Sequence, residues 1–421
     1  MKKLIIIICF LGFFLNAKYS YSTYILIPMD DVQANHLKAY GITYWILQNK
    51  IEASWLLNYR GGSFITDYNS DVEDECIIRG VSYEVIADAK ANGIFVEIAQ
   101  PDVNMDRVKL EKAPKVAVYA PESYQPWDDA VMLVLTYAEI PYTRIYDSDV
   151  INGDLVNYDW LHLHHEDFTG QYGKFYGSYR NATWYKNSVT ESEAEALKLG
   201  FSKVSDLKLY VAKTIKEFVY SGGFLFAMCS ATDSYDICLA SEGIDICESM
   251  FDGDAANADA QNLLDFTKTF AFENFILEKS PYVYEFSDID NTKDRNIQEE
   301  NDFFTLFDFS AKWDPVPTML CQNHTQIIKG FMGQTTAFTK DLIKSDILIL
   351  GETNSLKEAR YIHGEYGNGT WSFYGGHDPE DYRHLVGDPQ TELDLFPNSP
   401  GYRLILNNIL FPAAQKKKMK T

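Results

Sequence analysis

Cysteine is scarce in this chain. It occurs six times in 421 residues, and Cys9 lies inside the N-terminal apolar run. So few thiols exclude a disulfide scaffold. Without Cys9 there remain Cys76, Cys229, Cys238, Cys247 and Cys321, an odd set. In an oxidising compartment at least one thiol is then free or paired between chains. Positive charge is also short, with 37 Lys and Arg against 60 Asp and Glu and a formal net charge of -23. Such a surface repels nucleic acid and anionic lipid. The Lys416-Lys417-Lys418 tail is too short to reverse this. After the first residues no apolar run is long enough for a transmembrane helix. Internal repeats are absent, and no cofactor is expected.

What is present begins with Met1-Lys2-Lys3 and the apolar run 4–15. A short positive region before such a run reads as a secretory signal peptide, residues 1–22, with cleavage after Ala17 or Ser22. An exported protein, periplasmic or extracellular, is expected. The 28 Tyr and 26 Phe suit a folded globule with a ligand groove.

The pattern along the chain predicts an α/β fold in two units. In residues 23–105, strands are expected at 24–28, 53–59 and 94–98, and helices at 35–47 and 81–91. Residues 101–112 read as a linker. A larger α/β unit spans 113–413. Its strands are expected at 115–119, 142–146, 160–164, 224–228 and 347–350, with a hairpin of 360–365 and 370–374. Helices are expected at 127–138, 207–220 and 401–409. Insertions interrupt it at about 169–190 and 248–344. Strand and helix in alternation imply a parallel sheet.

Three constellations could carry chemistry. The buried run 224–228 leads directly into Cys229, followed by Ser230 and Ala231, the layout of a nucleophile elbow. A helix N-terminus behind Cys229 would favour the thiolate, and amides near Ser230 and Gly170 could hold an oxyanion. The same residue also fits an inert buried cysteine. Second, Gly375-Gly376-His377-Asp378-Pro379-Glu380 follows the hairpin. His377 can serve as a base, with Asp378 or Glu380 to orient it. Third, His162, His164, His165, Glu166 and Asp167 cluster at the end of the third strand of this unit. Alternation puts His162 and His164 on one face and Leu161, Leu163 and His165 on the other. His164, His165 and Asp167 could bind substrate, or a divalent metal. Weaker signals are Arg60 before Gly61-Gly62, which could clamp a carboxylate, and loose acidic loops at Asp252, Asp254, Asp259 and at Asp288, Asp290, Asp294 that miss the EF-hand spacing.

Around Cys229 and His377 the chain resembles the class I glutamine amidotransferase-like superfamily, over about residues 113–413 and by order of elements. The resemblance implies a flavodoxin-like parallel sheet with a Cys at the elbow and a late His and acid. Ala227 and Ala231 stand where the family has glycines, and its His-x-Glu spacing is replaced by Glu380 three residues after His377. Residues 369–410 resemble the trehalose-utilisation (ThuA-like) branch, which typically lacks the cysteine and is linked to sugar metabolism. Similar exported bacterial proteins sometimes carry the label asparagine synthetase B. The N-terminal nucleophile and pyrophosphate site of that activity are not visible. The leading expectation is a Cys-His amide or ester hydrolase on a small polar, sugar or peptide substrate, with Cys229 as nucleophile. The alternatives are a non-catalytic binder using Tyr172, Phe175, Tyr176, Tyr179, Trp184 and Tyr185, and a metal-dependent hydrolase.

Overall fold

A computed structural model describes residues 22–121, 128–314, 321 and 324–414. The expected leader (apart from Ser22), Trp127 and the Lys416–Lys418 tail lie outside the described residues. Among the described residues no helix is long and apolar enough to cross a membrane.

The N-terminal part forms a five-stranded sheet from β1 (Ser22–Ile27), β2 (Ala53–Leu57), β3 (Ser63–Asp67), β4 (Glu84–Ala87) and β5 (Asp106–Leu110). Its order is β4-β1-β3-β2-β5, antiparallel throughout. Three expectations here are corrected. Of the helix expected at 81–91, residues 84–87 are β4 and only 88–91 are helical, opening the helix Asp88–Ile98 whose end takes the strand expected at 94–98. Ala91, Ile94 and Ile98 are its buried positions, at helical spacing, although Ile, Phe and Val suggested a strand. The expected linker contains β5. A helix at Ser70–Arg79 was not foreseen, although Asn69 caps it and Gly80 ends it at φ +68°.

The larger part builds a ten-stranded sheet. Its strands are β6 (Val116–Tyr119), β7 (Tyr142–Ile145), β8 (Trp160–Leu163), β9 (Phe224–Met228), β10 (Phe303–Leu306), β11 (Ile327–Lys329), β12 (Phe338–Thr339), β13 (Leu348–Thr353), β14 (Glu358–Tyr366) and β15 (Gly369–Tyr374). The order is β11-β10-β13-β14-β15-β9-β8-β6-β7, with β12 on β14. The run β7-β6-β8-β9-β15 is parallel. In chain order this is second, first, third, fourth, fifth. The remaining neighbours pair antiparallel, so the insertion at 248–344 extends the sheet with β10 and β11. The insertion at 169–190 opens a helix, Thr183–Lys198.

Both faces of the parallel strands are covered. Val116, Val118, Trp160, Phe226 and Met228 point into one core, which also contains Val131 and Leu135 of the helix Ala130–Tyr137 and Leu406 and Ile409 of the helix Pro400–Leu410. Ala117, Leu161, Leu163, Leu225 and Ala227 point the other way, with Leu207, Val211 and Ile215 of the helix Val204–Tyr220. Period-two alternation along each strand produces this division. Each such buried aliphatic side chain contributes about 1.5–3 kcal/mol relative to exposure.

The first core continues into the small sheet through the helix His36–Gln48. Gly41 lets that helix approach residue Ala138, since a Cβ there would sit 1.8 Å from its carbonyl oxygen. Buried Arg403 donates from Nε to Tyr40 Oη at 3.0 Å and from a terminal nitrogen to the Met29 carbonyl at 3.2 Å.

Candidate active site at the carboxyl edge of the parallel sheet

The chemically able side chains collect just beyond the carboxyl ends of parallel strands. Asp128 and Asp129 follow β6, His164 to Asp167 follow β8, Cys229 follows β9, and His377 follows β15. In open α/β sheets this edge is where ligands bind.

The elbow exists. Met228 is extended, Cys229 turns to φ +50°, and residues 229–231 lead into the helix Asp233–Ala240. A positive φ on a non-glycine residue is costly and is held here by its surroundings. The Cys229 amide donates to the Gly376 carbonyl at 3.2 Å, and Ala231 donates to the His164 carbonyl at 3.0 Å. These bonds clamp the elbow between the loops that carry His164 and His377.

The thiol chemistry differs from the expectation. Cys229 is 1 % exposed. The Gln334 amide donates to Sγ at 3.2 Å. Burial pushes the thiol up to about 11, although the amides of Thr335, Gln334 and Ser230 oppose that rise. These amides are turned toward the sulfur. Gly170 lines the same cavity as His165 and Glu166.

His377 is drawn into a group of imidazoles. Its Nδ1 lies 3.0 Å from His164 Nε2, and its ring stacks on His384 with centroids 4.9 Å apart. The acids expected to orient it are engaged elsewhere. Asp378 accepts from the Glu380 amide and the Thr391 hydroxyl, and Glu380 bonds Ser399. Burial raises both carboxyls.

The acid that serves the cluster is Asp129. It caps the helix Ala130–Tyr137 by accepting from the Val131 and Met132 amides. Its Oδ1 also lies 3.3 Å from His164 Nδ1 and 3.5 Å from His162 Nε2. Burial would raise its pKa, but His162 and His164 hold it well below the usual carboxylate range. His162 Nδ1 meets the Phe226 carbonyl at 3.0 Å. That carbonyl only accepts, so Nδ1 carries the proton. His164 Nδ1 faces two acceptors, the Asp129 carboxylate and His162 Nε2 at 3.3 Å, and must also carry one. The Nε2 of His164 is turned toward His377.

His384 has a different state. Its nitrogens meet Asp128 and Asp381, each at 2.8 Å. Burial would lower it, but the two carboxylates raise it to about 9. His377 stays neutral, because burial and the neighbouring His164, His165 and His384 hold it well below the ordinary imidazole value. His165 falls to about 4 by burial. Burial, with Asp129 nearby, pushes Glu166 up to about 7.

His165 and Glu166 line a cavity of about 100 Å³ whose walls include Tyr172, Phe175, Trp184 and Tyr185. Asp167 accepts from the Thr169 and Gly173 amides and from the Thr169 hydroxyl, which shapes this loop. It serves the loop and is not among the grouped imidazoles. Arg60 is absent from the site. It pairs with Asp30 and Glu84 in the small sheet, both at 2.6 Å. The loop acids Asp252 and Asp254 surround the Lys203 ammonium. Asp288 accepts from the Ile276 amide, and Asp290 accepts from Thr292. All five described cysteines are unpaired and buried.

Asp128, Asp129 and His384 were missed. Asp129 had a readable signal as an N-cap just before an apolar helix. His384 had little, since of its two carboxylates only Asp381 is near in sequence and Asp128 comes from a distant loop.

No protein-family model matches the chain, and no curated protein sequence does. Among solved structures it is similar to the Cytoplasmic Protein STM3548 from Salmonella typhimurium, with 12% identity and a TM-score of 0.35, over 72% of this chain and 100% of that one. It is also similar to Gan42B, a GH42 beta-galactosidase from G. stearothermophilus, with 11% identity and a TM-score of 0.26, over 63% of this chain and 28% of that one. Likenesses this low say nothing of activity.

Proposed function

We propose that this chain is an exported hydrolase of a small polar substrate, a sugar or a peptide, and that its reacting centre is the imidazole group at the sheet edge. The observation that carries this is the 3.0 Å approach of His377 Nδ1 to His164 Nε2, with the latter ring oriented by Asp129. Buried, oriented imidazoles beside a cavity are a reacting group, whereas a thiol pushed up to about 11 is a poor nucleophile at neutral pH. Cys229 is then a structural pivot. Its place at the elbow, and the strand order β7-β6-β8-β9-β15, support a flavodoxin-like domain of the glutamine amidotransferase-like kind.

A panel of chromogenic ester, amide and glycoside substrates tests the reading. Activity on at least one class should persist in Cys229→Ala and disappear in His377→Ala. Loss in Cys229→Ala with a retained fold, and persistence in His377→Ala, would return the chemistry to the thiol.

A further inference from the structure

We infer that His164, His165 and His377 form a binding site for one divalent transition-metal ion of the zinc class. This rests on the reading of the imidazole group as the reacting centre and specifies what that centre holds. One ring nitrogen of each residue lies within 4.8 Å of the other two. The Nε2 of His164 is turned toward His377, while its Nδ1 is turned toward Asp129 and His162. A carboxylate on the far nitrogen is how proteins orient a metal-binding histidine.

The neighbouring groups narrow the ligand set. His384 meets carboxylates through both nitrogens and has none left for a metal. His162 has its Nδ1 on the Phe226 carbonyl and its Nε2 against Asp129 and His164, so it supports His164 from behind. A set of Asp245, Cys247 and Asp252 elsewhere has the right donors, but the Lys203 ammonium meets Asp245 and Asp252 at 2.7 and 2.8 Å. A lysine already supplies the positive charge there.

Three nitrogens and no oxygen select the metal. Calcium and magnesium take oxygen ligands, while imidazole suits zinc and its first-row neighbours. His164 and His377 are buried, and His165 lines the aromatic cavity. Three protein ligands leave one position for water or substrate. That is the arrangement of a catalytic site, where structural zinc sites have four protein ligands.

The test uses full-length protein stripped with a chelator and titrated with Zn²⁺ by calorimetry, with Co²⁺ as a spectroscopic probe. One Zn²⁺ per chain is expected, and Co²⁺ should give visible absorption of a four- or five-coordinate nitrogen site. His165→Ala and His377→Ala should each weaken Zn²⁺ binding by at least tenfold, while Cys247→Ala leaves it unchanged. Circular dichroism checks that each variant is folded. If a variant fails to fold, the Co²⁺ spectrum of the wild-type chain decides. Absence of stoichiometric binding, a thiolate charge-transfer band, or binding indifferent to both histidines would overturn the proposal. Metal binding without turnover of any substrate would instead sink the hydrolase reading, and turnover by a protein that binds no metal would sink the metal site alone.

Discussion

The Nδ1 of His377 lies 3.0 Å from the Nε2 of His164, a contact between residues 213 apart in sequence. One follows β15 and the other follows β8, and β9 lies between these strands in the sheet. The Cys229 elbow at the end of β9 hydrogen-bonds to both loops. The strained cysteine therefore sits where it can set the spacing of the two histidines.

Asp129 acts through His164. Asparagine caps a helix as well as aspartate, so Asp129→Asn should fold normally but orient His164 less well. The expected loss in kcat/KM is about 10- to 100-fold. His164→Ala should lose more. Equal losses in the two variants would contradict a positioning role for Asp129.

The Cys229 thiol should be inert near neutrality. Alkylation requires the thiolate, and with the thiol pushed up to about 11 this form is scarce at pH 7. Iodoacetamide with mass mapping at pH 7.5 should leave Cys229 unmodified in native protein and label it after unfolding in guanidinium. Rapid native labelling at pH 7.5 would contradict this.

Asp233 should make the fold less stable as pH rises. Burial raises its carboxyl from an ordinary value of 3.8 to about 7. A group with a raised folded pKa favours folding below the unfolded pKa, and that contribution is lost as pH climbs from about 4 to about 7. The loss is on the order of a few kcal/mol. Asp233→Asn keeps an acceptor for the Thr335 hydroxyl and removes the titration. Urea denaturation at pH 5 and pH 8 should show a smaller difference for the variant than for the wild type.

Arg403 should join the two sheets energetically. It is fully buried and spans Tyr40 and the Met29 carbonyl. Arg403→Ala removes these bonds and opens a cavity, at a cost of about 3–5 kcal/mol. A drop in the thermal midpoint with the transition still single would fit a shared core. Separate melting of an unaffected larger unit would not.

Much of the scaffold was legible because it obeys local rules. The apolar run 224–228, the hairpin of 360–365 and 370–374 and the helix at 207–220 are each specified through contacts a few residues apart. Where local signals conflicted, the reading failed. Residues 94–98 are rich in strand-forming side chains yet close a helix, because Ala91, Ile94 and Ile98 find their burial at helical spacing. Likewise, the acids chosen to orient His377 were its sequence neighbours, Asp378 and Glu380. Both are engaged by Thr391 and Ser399 instead.

The amino-acid order alone thus specified the strand before Cys229, the alternation that puts His162 and His164 on one face, and the late turn that delivers His377. Which groups meet was settled by strand order in the folded sheet. Laying β15 beside β9, and β9 beside β8, brought His377 to His164 and left the thiol among backbone amides. The physical reason is that a side chain's protonation state depends on burial and on partners within a few ångströms. At this site those partners include His164 and His377, 213 residues apart in sequence.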